Sequence, residues 1–286
     1  MTNNQKAVLE KEWCLLNGLR VSESGVYKNN IATLKKVGAL YRITLHKRKR
    51  SSGYEAIEGD NKDRGHKQGE TGKAEKLATN IARARGKIFE LAMSNSWTWF
   101  TTFTLNPEKH DRTELSSYKK LATWIRNYNR IHDVKISYLI IPELHADGRS
   151  WHFHGLLEGI PREELEEFKE EKGKRLPIQI LIESRKGNQI YNWPAYQKAF
   201  GYITLSEIRN GIAVSKYICK YLTKGLNETG VGLQKHLYYC SQGLKRAELI
   251  YEGYLTKELD EDYSNEYVKI KTVQSFDEAI AYFVDG

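Results

Sequence analysis

The segment Trp151-His152-Phe153-His154-Gly155-Leu156-Leu157 holds two histidines two positions apart. In a strand, residues i and i+2 face the same way. Both imidazoles can then meet one divalent ion, while Phe153 enters the core. Neutral imidazole suits many divalent metals. Glu143 precedes the pair across the turn His145-Ala146-Asp147-Gly148-Arg149, and a hairpin brings it alongside. A carboxylate suits Mg²⁺ or Mn²⁺. Three protein ligands leave positions open for a phosphate oxygen and water, as needed to polarise a phosphoryl group. His145 and Asp147 are rival third ligands, ranked lower because a turn holds side chains less rigidly than a strand. The alternative is two strand histidines of no special role.

The run Ser215-Lys216-Tyr217-Ile218-Cys219-Lys220-Tyr221-Leu222-Thr223-Lys224 contains Tyr-x-x-Lys twice. On a helix, positions three and four apart share a face. Tyr217 and Tyr221 therefore stand one above the other, about 6 Å apart along the axis, with Lys220 and Lys224 beside them. A free phenol has a pKa of about 10 and is a weak nucleophile at neutral pH. Nearby ammonium groups favour the phenolate and can hold an attacked phosphate. The alternative is an amphipathic helix with two packed tyrosines and solvated lysines, and with 18 tyrosines in the chain one Tyr-x-x-Lys means little.

These groups need elements to carry them. Apolar residues Leu77, Ile81, Ile88 and Leu91 recur at helical spacing over 74–94. Residues 97–105 (WTWFTTFTL) are aromatic and β-branched and predict a strand. A helix follows over 113–131, then strands over 136–144 and 151–157 joined by the Asp-Gly turn. Residues 162–172 predict a charged surface helix, 194–200 a short helix, 202–208 a strand, and 211–224 the tyrosine helix. Further short strands are expected over 26–37, 39–46, 236–241 and 246–251, and a last helix over 275–284. Antiparallel hairpins mixed with helices predict an α+β fold built on a central antiparallel sheet. The expected division is a basic N-terminal region (1–75), a central domain (76–255) with an insertion at about 161–200, and a C-terminal tail (256–286).

The 286 residues carry a formal net charge of +9, and the whole excess lies in residues 1–95. Clustered positive charge suits a polyanion, and a basic solvated face is the plain alternative. Lys47-Arg48-Lys49-Arg50 are the candidate DNA-binding residues, in a basic arm acting on phosphates, and residues 51–75 read as a mobile polar loop. Cys14, Cys219 and Cys240 are scattered and odd in number, which argues against a disulfide framework or zinc ribbon. No apolar run is long enough for a membrane helix, and no Walker phosphate loop is present. The N-terminal stretch has no apolar signal core, so a cytoplasmic protein of a bacterial host is expected.

Phe103-Thr104-Leu105-Asn106, His152-Phe153-His154 and Tyr217-Ile218-Cys219-Lys220 occur in an order that resembles the HUH endonuclease superfamily, specifically its rolling-circle replication initiators. The segment Glu143–His154 is similar to the circovirus-type pattern, in which a metal-binding glutamate precedes the first histidine. The doubled tyrosine motif is similar to initiators of microviruses and some filamentous phages, where both tyrosines take turns as nucleophile. The resemblance covers about residues 96–225. It implies a Rep-like, ferredoxin-like sheet of about five strands with the tyrosine helix packed across it. It also implies metal-dependent nicking and rejoining of a single DNA strand through a 5′-phosphotyrosine. The implied partners are single-stranded origin DNA and a host polymerase and helicase. A relaxase or single-strand transposase of the same chemistry, and a non-enzymatic DNA-binding regulator, are the rival readings.

Overall fold

The structure, a computed structural model, describes residues 3–16, 27–28, 30–47, 50–51, 70–113, 116–145, 147–169, 177–224 and 236–284. In chain order the elements are α1 (Asn3–Leu16), β1 (Tyr27–Lys28), β2 (Ala32–Val37), β3 (Leu40–His46), β4 (Arg50–Ser51), α2 (Glu70–Ser94) and β5 (Trp99–Phe103). Then come α3 (Ser116–His132), β6 (Ser137–Leu144), β7 (Trp151–Glu158), β8 (Glu166–Glu167), α4 (Ile178–Arg185), β9 (Ile190–Asn192), α5 (Pro194–Ala199) and β10 (Ile203–Glu207). The chain finishes with α6 (Gly211–Lys224), β11 (Tyr239–Cys240), β12 (Glu248–Gly253), β13 (Tyr263–Ser264), β14 (Val268–Val273) and α7 (Phe276–Ile280). The fold is α+β with antiparallel sheets, as expected.

Two compact units form, one from Met1–Lys67 with Lys245–Gly286, the other from Gln68–Leu244. The first differs from the expected N-terminal arm and C-terminal tail. Its five-stranded sheet runs β12-β2-β3-β14-β13. The β2–β3 hairpin turns at Gly38, whose φ of 63° suits glycine. The C-terminal segment supplies β12 against β2 and β14 against β3. Leu34, Ile43, Ile250, Val273, Ile280 and Phe283 are buried together there. At the start of α7 the Ser275 hydroxyl accepts from the Glu278 amide, a cap of the usual kind. Residues 52–69, most of the expected mobile loop, lie outside the described residues.

The second unit carries the candidate chemistry. Its sheet runs β11-β6-β7-β5-β10-β9-β8, seven strands where about five were expected. The surplus comes from pieces of two or three residues, β8, β9 and β11, too short to show alternation. Residues 162–172, expected as a charged helix, instead make a 3-10 turn at Arg162–Glu164 and then β8. That stretch lacks the apolar stripe that would dock a helix, and Phe168 donates its amide to Ile190, along the sheet edge. The insertion therefore extends the sheet and adds α5.

β5 alternates cleanly. Trp99, Thr101 and Phe103 are buried on one face, while Phe100 and Thr102 are half-buried on the other. Phe103 meets Tyr196 of α5, and Trp124 of α3 meets Trp193, Tyr196 and Phe200. An aromatic layer thus covers that face. The opposite face is covered by α6, which packs on β6 and β7 and against α2. Gly155 lets β7 lie close over this layer. A Cβ there would stand 2.8 Å from the Phe103 ring and 2.9 Å from the Thr101 hydroxyl.

Candidate active site

Strand register decides which side chains meet. On the β6–β7 hairpin Glu143 pairs with His152 and Ile141 with His154. On the other side of β7, Thr102 of β5 pairs with His154. Glu143, His152, His154 and Thr102 therefore share one sheet face, and it is the face under α6. Phe153 is fully buried on the other, as the spacing requires.

The hydrogen bonds follow the register. His154 Nε2 lies 2.7 Å from Glu143 Oε2. The Thr102 hydroxyl is 3.2 Å from His154 Nδ1, and the Thr104 hydroxyl is 3.2 Å from His152 Nδ1. Each imidazole is thus held on its Nδ1 side by a threonine on or just after β5. Sequence reasoning missed this role for Thr102 and Thr104. Their alternate positions in the stretch 97–105 were the available signal.

His152 Nε2 is buried and has no hydrogen-bond partner. Burial first, and then the positive neighbours His145 and Arg112, push its pKa down to about 4, so the ring is neutral at physiological pH. A neutral ring with an uncommitted nitrogen is a ligand in waiting. Glu143 and His154 need a proton between them, and a cation can take its place. The donor set fits a divalent ion on these grounds. The groups are not gathered into a finished cage, since among the described residues no three His, Cys, Asp or Glu side chains cluster tightly enough to form one.

The rival ligands separate. Asp147 accepts from the amides of Arg149 and Ser150, each at 2.8 Å, and so closes the turn. Those bonds hold its carboxyl well below the usual range. The His145 ring lies 4.7 Å from that of His152, so it remains beside the site.

α6 delivers the tyrosines. Their rings stand 5.2 Å apart and perpendicular, one helical turn apart as expected. The Tyr221 ring stacks on His154 at 3.7 Å. Phe100 joins the cluster, 5.5 Å from Tyr217 and 6.3 Å from Tyr221, another residue missed from sequence. Burial first, then the hydrogen bond with Tyr217, drives the Tyr221 phenol to a pKa well above that of free tyrosine. Tyr217 is 44% exposed. The Lys220 ammonium lies 5.5 Å from the Tyr217 ring centre. Lys224 ends α6, and its side chain lies outside the described residues.

The basic cluster at 47–50 belongs to the other unit. Lys47 donates to the Ser264 hydroxyl at 2.9 Å and the Asn265 carbonyl at 2.6 Å. Arg48, Lys49 and the Arg50 side chain lie outside the described residues. Cys14, Cys219 and Cys240 are free thiols, and no described helix is long and apolar enough to cross a membrane.

No curated protein and no solved structure matches the chain. Residues 98–226 match the model of the replication-associated protein (ORF2) family, a stretch running from β5 past the end of α6 and holding Glu143, both histidines and both tyrosines, and this likeness supports a role in replication initiation.

Proposed function

We propose that the chain starts rolling-circle replication by nicking one DNA strand with Tyr217 and staying attached to the cut end. The observation that carries this reading is the cluster on one sheet face. Glu143 touches His154, His154 stacks on Tyr221, and Tyr221 meets the exposed Tyr217.

Glu143, His152 and His154 would hold Mg²⁺ or Mn²⁺, which when bound supplies positive charge that polarises the scissile phosphate. The Tyr217 oxygen attacks the phosphorus. The bond from phosphorus to the tyrosine oxygen forms, and the bond to the 3′ oxygen breaks. The phenolic proton passes to solvent, and the departing oxygen takes one up. The products are a 5′-phosphotyrosine and a free 3′-hydroxyl, which a host polymerase extends once a helicase opens the duplex. Lys220 steadies the phosphate as a point charge, and Lys224 follows it on the same stripe of the sequence. The phosphotyrosine keeps the energy of the broken linkage, so rejoining needs no ATP. Tyr221 makes the second cut after leaving its stack.

The test is covalent capture of single-stranded origin oligonucleotide in the presence of Mn²⁺. Tyr217→Phe is expected to lose the adduct and EDTA to prevent it. Undiminished adduct in a Tyr217→Phe/Tyr221→Phe double variant contradicts the assignment, and no covalent species from the unaltered protein favours a DNA-binding regulator.

A further inference from the structure

A cavity of about 580 Å³ lies beside the histidines, lined by residues 107–113 and Ser150. Its rim is a loop tied down at both ends. The Asn106 amide donates to the Phe200 carbonyl at 2.7 Å, and the Trp151 amide donates to the Arg112 carbonyl at 2.8 Å. The His110 ring stacks on Phe200 at 5.0 Å and holds the Ala199 carbonyl through Nε2 at 3.0 Å. Lys109 donates to the Lys198 carbonyl at 3.0 Å.

Two nitrogens in this lining are buried with no hydrogen-bond partner, His110 Nδ1 and Arg112 Nε. A buried, unpaired donor on a cation is costly, and a ligand oxygen would relieve it. The neighbouring acid Asp111 is engaged by the Thr113 amide at 2.8 Å and hydroxyl at 2.7 Å. Glu108, the other acid in the lining, is exposed. The Arg112 charge is also felt at His152, where it opposes protonation. Arg112 thus stands between the cavity and the candidate metal ligands.

We infer that Arg112 is a positioning residue that grips a phosphodiester of the bound single strand, next to the one presented to Tyr217. Guanidinium suits this, because its planar fork binds two phosphate oxygens at once. The inference rests on the proposed strand nicking, since that reading brings a single strand to this face.

The test separates the two. Labelled oligothymidine is titrated by fluorescence anisotropy in EDTA, in a Tyr217→Phe background, over a range of salt. Binding is then read without cleavage. Arg112→Gln should weaken binding roughly 5- to 10-fold and make the slope of log affinity against log salt shallower by about 0.7, the release expected for one single-strand phosphate contact. Arg112→Lys should restore the slope, with thermal melting showing that both variants fold. Wild-type affinity and slope in Arg112→Gln overturns the inference, as does an Arg112→Lys slope no steeper than that of Arg112→Gln. Loss of binding in Arg112→Gln with no adduct from the unaltered protein upholds this site and sinks the nicking.

Discussion

The ring of Tyr221 lies flat on the imidazole of His154, with centroids 3.7 Å apart and planes 14° apart. Tyr217, one turn earlier, touches Tyr221 only edge-on. Two tyrosines that look equivalent in the sequence are therefore unequal in the fold. One is exposed and the other holds a candidate metal ligand in place.

That inequality predicts a split between two substitutions. Tyr221→Phe keeps the ring and should leave the first adduct close to wild-type rate, while removing any second cut. Tyr221→Ala removes a stack worth about 0.5–1.5 kcal/mol and should slow first-adduct formation roughly 2- to 12-fold. Single-turnover gel assays separate them, and equal loss in both variants contradicts a positioning role.

The threonines behind the histidines make a second prediction. Groups that orient a ligand typically contribute 10- to 100-fold to metal affinity. Thr102→Val and Thr104→Val keep the side-chain shape and lose the bond to each Nδ1. Each should weaken Mn²⁺ binding about 10-fold by calorimetry while leaving the melting temperature nearly unchanged. Wild-type affinity in both variants removes the threonines from the site.

Burial of His152 has a consequence for stability. Its folded pKa, near 4, lies below the unfolded value of about 6.5. Between those values the unfolded chain binds the extra proton, so stability rises with pH there. The contribution is complete above about pH 6.5 and fades as the pH falls towards 4. The metal-free protein should lose melting temperature over that window, and His152→Asn should flatten the loss. An unchanged slope in the variant would show that other groups govern it.

Much of this site was legible in the sequence because it rests on local periods. The alternation through His152-Phe153-His154 fixed which side chains share a face, and helical spacing stacked Tyr217 over Tyr221. Other features depend on partners far along the chain. Thr102 and Thr104 gained a role only through β5 pairing with β7. Asp147 left the ligand candidates because it closes its own turn. The first unit was the least legible, since β2 and β3 find their outer partners in β12 and β14, and nothing in either segment alone announces that pairing. Edge pieces such as β8 and β11 are two residues long and leave no period to read.

The central claim is that Tyr217 is the first nucleophile, and mass spectrometry of the trapped adduct tests it most directly. Protein incubated with single-stranded origin oligonucleotide and Mn²⁺ is digested with nuclease and protease, and the peptide carrying the residual nucleotide is sequenced. The account predicts a nucleotide on Tyr217 at short reaction times, with Tyr221 unmodified. A nucleotide on Tyr221 alone, or on a residue outside α6, would contradict it.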